Sequence, residues 1–592
     1  MAEKTREEIA AKDKWRLEDI FETDDAWEKE YAQLEEALPG IERIKETITD
    51  APAALKAGLD KIYAASLSLE RLYVYARMRR DEDNANSVYQ GLASRAQNLA
   101  VRLSSATSFL DPLLLSMEED TLREYAKLPV LKEYRFMLED LLRGKAHVLS
   151  EAEERILSQA GDFSGGAQDI FTMLNNADLQ FGQVEHDGKT YSLTHASYIE
   201  LMQSEDRALR KKVYETFYQA FKDHINTIAA TYATSVKKDI FYTNVRGYES
   251  AMQRALFADN VPTSVYHDLI EAVHKNLPVM HRYVALRKEI LGVEDLGMYD
   301  IYAPLVSDAS QEYTYEEAQA LVLEGLGVLG EDYLDMLKEA YESGWIDVYE
   351  TAGKTSGAYS WGAYGTHPYV LLNHRGDLDS VFTLAHELGH AMHSYYSDEA
   401  QPYATAGYTI FVAEVASTVN EILLTKHLLR TTTDEKLKKY ILNHYIDQFR
   451  ATVLRQTMFA EFEMIAHEMA EQGEALTVES LSKVYGELNA AYHGPAMEAD
   501  DTIAYEWARI PHFYNAFYVY KYATGFSCAV AIVDKLEKEG EAMREKYRAF
   551  LSAGGSDYPM EILKQAGIDV GESVEICMQE FARVLQEFEA LS

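Results

Sequence analysis

The sequence predicts a mainly α protein with one small β region, and three observations carry that expectation. Of its 592 residues, 47% are hydrophobic while Pro numbers only 12 and Gly 32, a balance that suits long helices around a large core. Apolar residues recur at helical spacing along most of the chain. A single Gly-, Tyr- and Thr-rich stretch, 345–373, alternates instead as strands do.

The elements follow in order. Residues 1 to about 120 read as successive amphipathic helices. One covers Ala53–Met78, with Leu55, Leu59, Tyr63 and Leu67 along a face, and another covers Ser87–Leu110. Asp111-Pro112 predicts a break. A helical pair follows over about 117–160, where Ser150-Glu151-Ala152-Glu153 has capping-box spacing. Val184–Leu193 predicts a small hairpin turning at Asp187-Gly188. Long helices resume from about Ser204 to Lys288, yield to the strands of 345–373, and return from Ile410 onward with one loop near 492–496. No low-complexity segment, fixed-period repeat or Pro/Ser-rich linker separates these parts, so tightly packed lobes are expected.

Charge and cysteine content exclude several functions. With 97 acidic and 57 basic residues the net charge is −40. Phosphate backbones and anionic membranes are repelled, so neither nucleic acid nor membrane is an expected partner. Cys528 and Cys577 lie far apart in apolar helical settings and can build neither a disulfide framework nor a thiolate metal site. The start, Met1-Ala2-Glu3-Lys4-Thr5-Arg6-Glu7-Glu8, is too charged for a signal peptide, and no apolar run approaches a membrane span. A cytoplasmic location is expected.

Residues 386–390, His-Glu-Leu-Gly-His, carry the chemistry. Four residues apart on a helix, His386 and His390 leave one face and can hold one zinc ion, with Glu387 beside the metal as base for a bound water. An ordinary core helix with two satisfied histidines would carry the same letters, so the third ligand matters. A histidine six residues after His390 would complete one class of site, but that position is Tyr396. The remaining source is a carboxylate from a second helix. The apolar stretch Phe411–Glu421 carries Glu414 and Glu421 seven residues apart on one face. Glu414 is the better third ligand, and Glu421 is placed to accept a hydrogen bond from a ligand histidine. His393, on the same face one turn past His390, reads as a residue that supports a ligand or packs, not as a ligand itself. Donors for a developing oxyanion are expected from Ile510–Gly525, where His512 precedes Tyr514, Tyr518 and Tyr522 at four-residue intervals, predicting hydroxyls along one helix face.

These motifs, with their surroundings, closely resemble the oligoendopeptidase F family, a member of the thimet-oligopeptidase-like zinc metallopeptidases. The resemblance rests on Ser360–Tyr369 (SWGAYGTHPY), Phe382–Ser397 (FTLAHELGHAMHSYYS), Ala413–Glu421, Phe517–Gly525 and, upstream, Lys145–Leu157. It implies two helical lobes around a deep substrate channel, with the small sheet next to the zinc helix. It divides the chain into an N-terminal helical region (1–120), a family-type N-terminal domain with the hairpin (121–200) and a catalytic domain (201–592). His386, His390 and Glu414 would bind one zinc per chain, Glu387 would be the general base, and His512 with Tyr518 and Tyr522 would stabilise the transition state. The strand region holding Gly357, Tyr359, Gly362 and Tyr364 would pair with the backbone of an oligopeptide substrate. The implied activity is cleavage of internal bonds in short unfolded peptides. A dipeptidyl-carboxypeptidase-type exopeptidase and a non-catalytic peptide-binding protein are the competing readings. Oligomeric state and side-chain preference are not written in the sequence.

Overall fold

The computed structural model describes residues 5–306 and 311–592, so the charged start at Met1-Ala2-Glu3-Lys4 lies outside the described residues. The chain divides into two compact units, each assembled from three separated segments. The first comprises Met1–Ala146, Ser310–His427 and Ile532–Gly567; the second comprises His147–Ala309, Leu428–Ala531 and Ile568–Ser592. Both are helical, and the described strands form one two-stranded and one three-stranded sheet.

In the first unit, helices Asp24–Glu42, Pro52–Glu82 and Ser87–Thr107 bury Trp27, Leu55, Leu59, Leu72 and Leu99 in a common core. Pro52 opens its helix, where a missing N–H is harmless, and the Asn86 side chain accepts from the Val88 N–H to cap the next. Asp111-Pro112 is not the break the sequence predicted. The helix of Ser87 ends at Thr107, and Pro112 falls in the first turn of a new helix, Leu110–Leu115, where its ring is tolerated.

The three-stranded sheet of this unit comprises β3 (Ile346–Asp347), β4 (Tyr359–Trp361) and β5 (Tyr369–Leu371), in order β3-β5-β4. (β1, Gln183–His186, and β2, Lys189–Ser192, belong to the second unit.) β5 runs parallel to β3 and antiparallel to β4, so β4 is an edge strand. Tyr369 and Leu371 join the core of the N-terminal helices. The motif helix, Leu378–Ala400, follows directly and is capped by Asp377, which accepts from the Ser380 N–H. Its Val381, Phe382, Leu384, Ala385 and Leu388 are buried as the sequence pattern requires.

In the second unit the hairpin predicted around Asp187-Gly188 forms as β1 (Gln183–His186) and β2 (Lys189–Ser192). Both turn residues have positive φ, 48° and 74°, which an Asp-Gly pair accommodates. The Ser150 capping box is present at Glu151–Ser164. The long helical stretch after Ser204 is cut into Arg207–Asp223, Ile225–Val245, Ala251–Phe257 and Thr263–Leu291. No helix among the described residues is long and apolar enough to cross a membrane.

Candidate metal and catalytic site

The site of the first unit is built where two helices cross. Gly389, inside the motif helix, has no side chain to hold the partner helix Ile410–Thr431 away. A Cβ there would meet the Ser417 Cα at 2.5 Å and the Ala416 oxygen at 2.6 Å. Asn420, fully buried, donates to the Ala385 carbonyl at 3.1 Å and ties the helices together. This close approach brings Glu414 and Glu421 to the histidines.

Three donor atoms converge. His386 Nε2 lies 3.2 Å from His390 Nε2, and each lies 3.5 Å from Glu414 Oε2. Adjacent ligands of a tetrahedral zinc with bonds of about 2.0–2.1 Å stand roughly 3.4 Å apart, so the triangle suits one such ion. Glu421 accepts from His386 Nδ1 at 2.5 Å, which leaves the Nε2 lone pair facing the other two donors. Burial opposes an imidazolium at His386, but the hydrogen bond to Glu421 and its charge outweigh that and carry the group up to about 9. The neighbouring His390 holds the Glu414 carboxyl below its ordinary value. Glu414 keeps 47% of its side chain exposed, so the triangle is open on that side.

Glu387 is buried on the same helix. Its Oε2 has no hydrogen-bond partner, and burial pushes its carboxyl above the usual carboxylate range. That orphaned buried oxygen is open to an incoming hydrogen-bond donor. His393 packs flat against Tyr408, ring centres 3.7 Å apart, and burial lowers its imidazole to about 3, as befits a neutral packing residue.

The substrate-strand candidates lie in the same unit. The Gly357 carbonyl accepts from Asn373 Nδ2 at 2.7 Å. Tyr359 turns its hydroxyl to Asp81, at 2.9 Å. Tyr364 donates its N–H to Glu70 and its hydroxyl to the Gln401 carbonyl. Gly362 follows β4 directly, its Cβ position 3.3 Å from the Pro368 Cα. The register adds a residue the sequence did not single out. Val370 N–H donates to Trp345, toward β3, so the groups of Tyr369 and Leu371 face β4 and pair with Trp361 and Tyr359. Ser360 is therefore the β4 residue whose N–H and C=O point to the open edge.

His512, Tyr518 and Tyr522 belong to the second unit and gather there. The His512 ring centre lies 6.2 Å from that of Tyr518 and 6.0 Å from that of Tyr522, and the two tyrosine rings lie 5.5 Å apart. The Tyr522 hydroxyl lies 3.5 Å from His512 Nε2. Burial holds the His512 imidazole below its ordinary value. The predicted single helix face is corrected in one respect: Tyr514 does not share it. A short 3₁₀ turn ends at Tyr514 and a new helix starts at Tyr520; between them Phe517 adopts φ +57°. The Phe517 N–H donates to the buried Glu463 carboxylate at 3.0 Å, which holds this turn, and the Tyr514 hydroxyl bonds instead with Thr231 at 2.8 Å.

The family model for Peptidase family M3 matches residues 200–579, and that for Oligopeptidase F matches residues 114–181. The chain is 45% identical to Oligopeptidase PepF of Bacillus subtilis over 99% of this chain and 88% of that one. It is 40% identical to the plasmid-encoded Oligoendopeptidase F of Lactococcus lactis subsp. cremoris over 99% and 98%. Among solved structures, an oligoendopeptidase F from Enterococcus faecium is 37% identical and covers 96% of this chain and 99% of its own, with a TM-score of 0.75. A peptidase-like structure from Chlamydophila abortus is 35% identical over the full length of both chains, with a TM-score of 0.95. The chain belongs to peptidase family M3, in its oligoendopeptidase F group, and is an enzyme of the metallo-oligoendopeptidase type.

Proposed function

We propose that this peptidase is zinc-dependent and cleaves internal bonds of short, unfolded oligopeptides in the cytoplasm. The observation that carries the reading is the donor triangle of His386, His390 and Glu414 with the unpartnered Glu387 carboxylate beside it. One zinc ion held there supplies Lewis acidity, lowering the pKa of a water and polarising the scissile carbonyl.

Glu387 takes the proton of the attacking water and delivers it to the leaving amine; its desolvated carboxyl favours holding that proton in between. Glu421 keeps His386 in the tautomer whose Nε2 is free to coordinate. The open edge of β4 at Ser360 offers an N–H and a C=O to an extended peptide. The family resemblance gives His512, Tyr518 and Tyr522 the role of oxyanion donors, and within the second unit their rings gather and burial favours the neutral form of His512. The short-peptide preference is supported by the names of the relatives, oligopeptidase and oligoendopeptidase. The cytoplasmic location is supported by the two cysteines, buried and unbridged.

The test is a mixture of unrelated peptides, five to about thirty residues long, incubated with untreated, chelator-treated and zinc-restored protein and read by mass spectrometry. Internal cuts confined to the shorter peptides, lost with chelator and regained with zinc, are expected. Stepwise removal of C-terminal dipeptides would replace the endopeptidase reading with an exopeptidase. No cleavage in the zinc-restored sample would overturn the zinc-dependent reading.

A further inference from the structure

Beyond His390 the motif helix carries residues that the proposed chemistry does not use. Ser394 and Asp398 follow His390 at intervals of four, on the face of the ligand histidines. They line a cavity of about 230 Å³ whose other walls include Trp361 and Gly362 at the end of β4 and Tyr408. The cavity therefore lies along the open strand edge and one turn from the donor triangle, all within the first unit.

Its polar groups are unevenly satisfied. Glu70 accepts the Tyr364 N–H and the Tyr403 hydroxyl, each at 2.8 Å. Ser394 bonds the Tyr408 hydroxyl at 3.0 Å. Among the described residues no hydrogen bond or counter-ion stabilises Asp398, and no basic residue lines the cavity. Burial and the charges of Glu70 and Glu399 push its carboxyl up to about 7, so its charged form is one that a nearby cation would stabilise. Trp361, 37% exposed, and Tyr408, whose other neighbours are His393 and Ser394, line the cavity with aromatic side chains beside which an alkyl stem packs.

We propose that this cavity receives a lysine or arginine side chain of the peptide substrate, with the cationic head against Asp398 and the stem along Trp361 and Tyr408. The proposal rests on the peptidase reading above and adds a side-chain preference to it.

The test uses the zinc-loaded full chain and an N-terminally acetylated ten-residue peptide in which lysine replaces norleucine at each position in turn. Cut sites and kcat/KM are read by mass spectrometry. At one position relative to the cut, lysine is expected to exceed norleucine by roughly tenfold. That ratio falls toward one in Asp398→Asn, and in Asp398→Lys glutamate becomes the favoured residue. Thermal melts of both variants matching the parent establish that folding is retained. Cleavage with no position favouring lysine, or an unchanged ratio in Asp398→Asn, overturns the cavity assignment and leaves the peptidase reading intact. A preference present only with a free N-terminus reassigns the cavity to the terminal amine and overturns the side-chain proposal. Failure to cut any peptide overturns both.

Discussion

Glu387 and Glu421 both interact electrostatically with His386, and their surroundings suit them to opposite tasks. Glu421 is bonded to His386 Nδ1, which suits it to orienting the imidazole proposed as a metal ligand. Glu387 has an unpartnered oxygen and a carboxyl raised by burial, so it is free to exchange a proton. Glu387→Gln keeps the shape and removes the base. Turnover is expected to fall by about 10²–10⁴-fold while zinc stoichiometry, measured by elemental analysis, stays at one per chain. Glu421→Gln should instead weaken zinc by about 10–100-fold in a chelator competition, because the imidazole loses its charged partner. If both variants lost metal alike, the division of labour would be wrong.

At the scale of the element, the site depends on how near two helices come. Gly389 permits the crossing that carries Glu414 and Glu421 to the histidines, since the atoms it would strike are backbone and cannot swing aside. Gly389→Ala is expected to destabilise the fold by about 1–3 kcal/mol in chemical denaturation. It should also lower zinc affinity disproportionately, because the ligand helix is displaced. An alanine variant with unchanged zinc affinity would show that the crossing adjusts without moving Glu414. A second element-scale device is the Phe517 turn. Its φ of +57° is unfavourable for a bulky residue, and the hydrogen bond to buried Glu463, with Phe517 itself buried, offsets that strain.

For the whole molecule, stability in acid follows from groups buried in fixed protonation states. His493 is buried and neutral, its imidazole lowered to about 4 by desolvation. The unfolded chain, with an ordinary histidine near 6.5, binds the proton first as pH falls. Stability is therefore lost progressively from about pH 6.5 to about 4, on the order of 3 kcal/mol from this residue. Glu506 acts over a lower window. Desolvation alone would raise it, but Arg455 and Arg509 prevail and hold it at about 2, so its contribution disappears between about pH 4.5 and 2. Urea unfolding measured across this range should show a slope above pH 4 that His493→Gln flattens. An unaltered slope would place the acid sensitivity elsewhere.

Several parts of this arrangement were legible in the sequence because local chemistry decides them. The Asp187-Gly188 hairpin, the Ser150 capping box and the burial pattern of the motif helix each depend on residues a few positions apart. Four-residue spacing alone puts His386 and His390 on one face, and an acid in an apolar helix marked Glu414 and Glu421. Gly389 carried a legible signal too, a glycine inside a helical pattern, but what it approaches lies on another helix. The break at 515–519 was hidden for the same reason: local periodicity continued through it, and the Glu463 carboxylate that holds Phe517 is more than fifty residues away. Ser360 as the outward-facing residue needed the register with β5, and the Asp398 cavity needed walls from four separated segments. By itself, then, the sequence determined the mainly helical class, the Asp187-Gly188 turn and the residue types that offer donors. Tertiary structure decided which donors meet, because backbone close approach, strand register and burial arise only between segments distant in the chain.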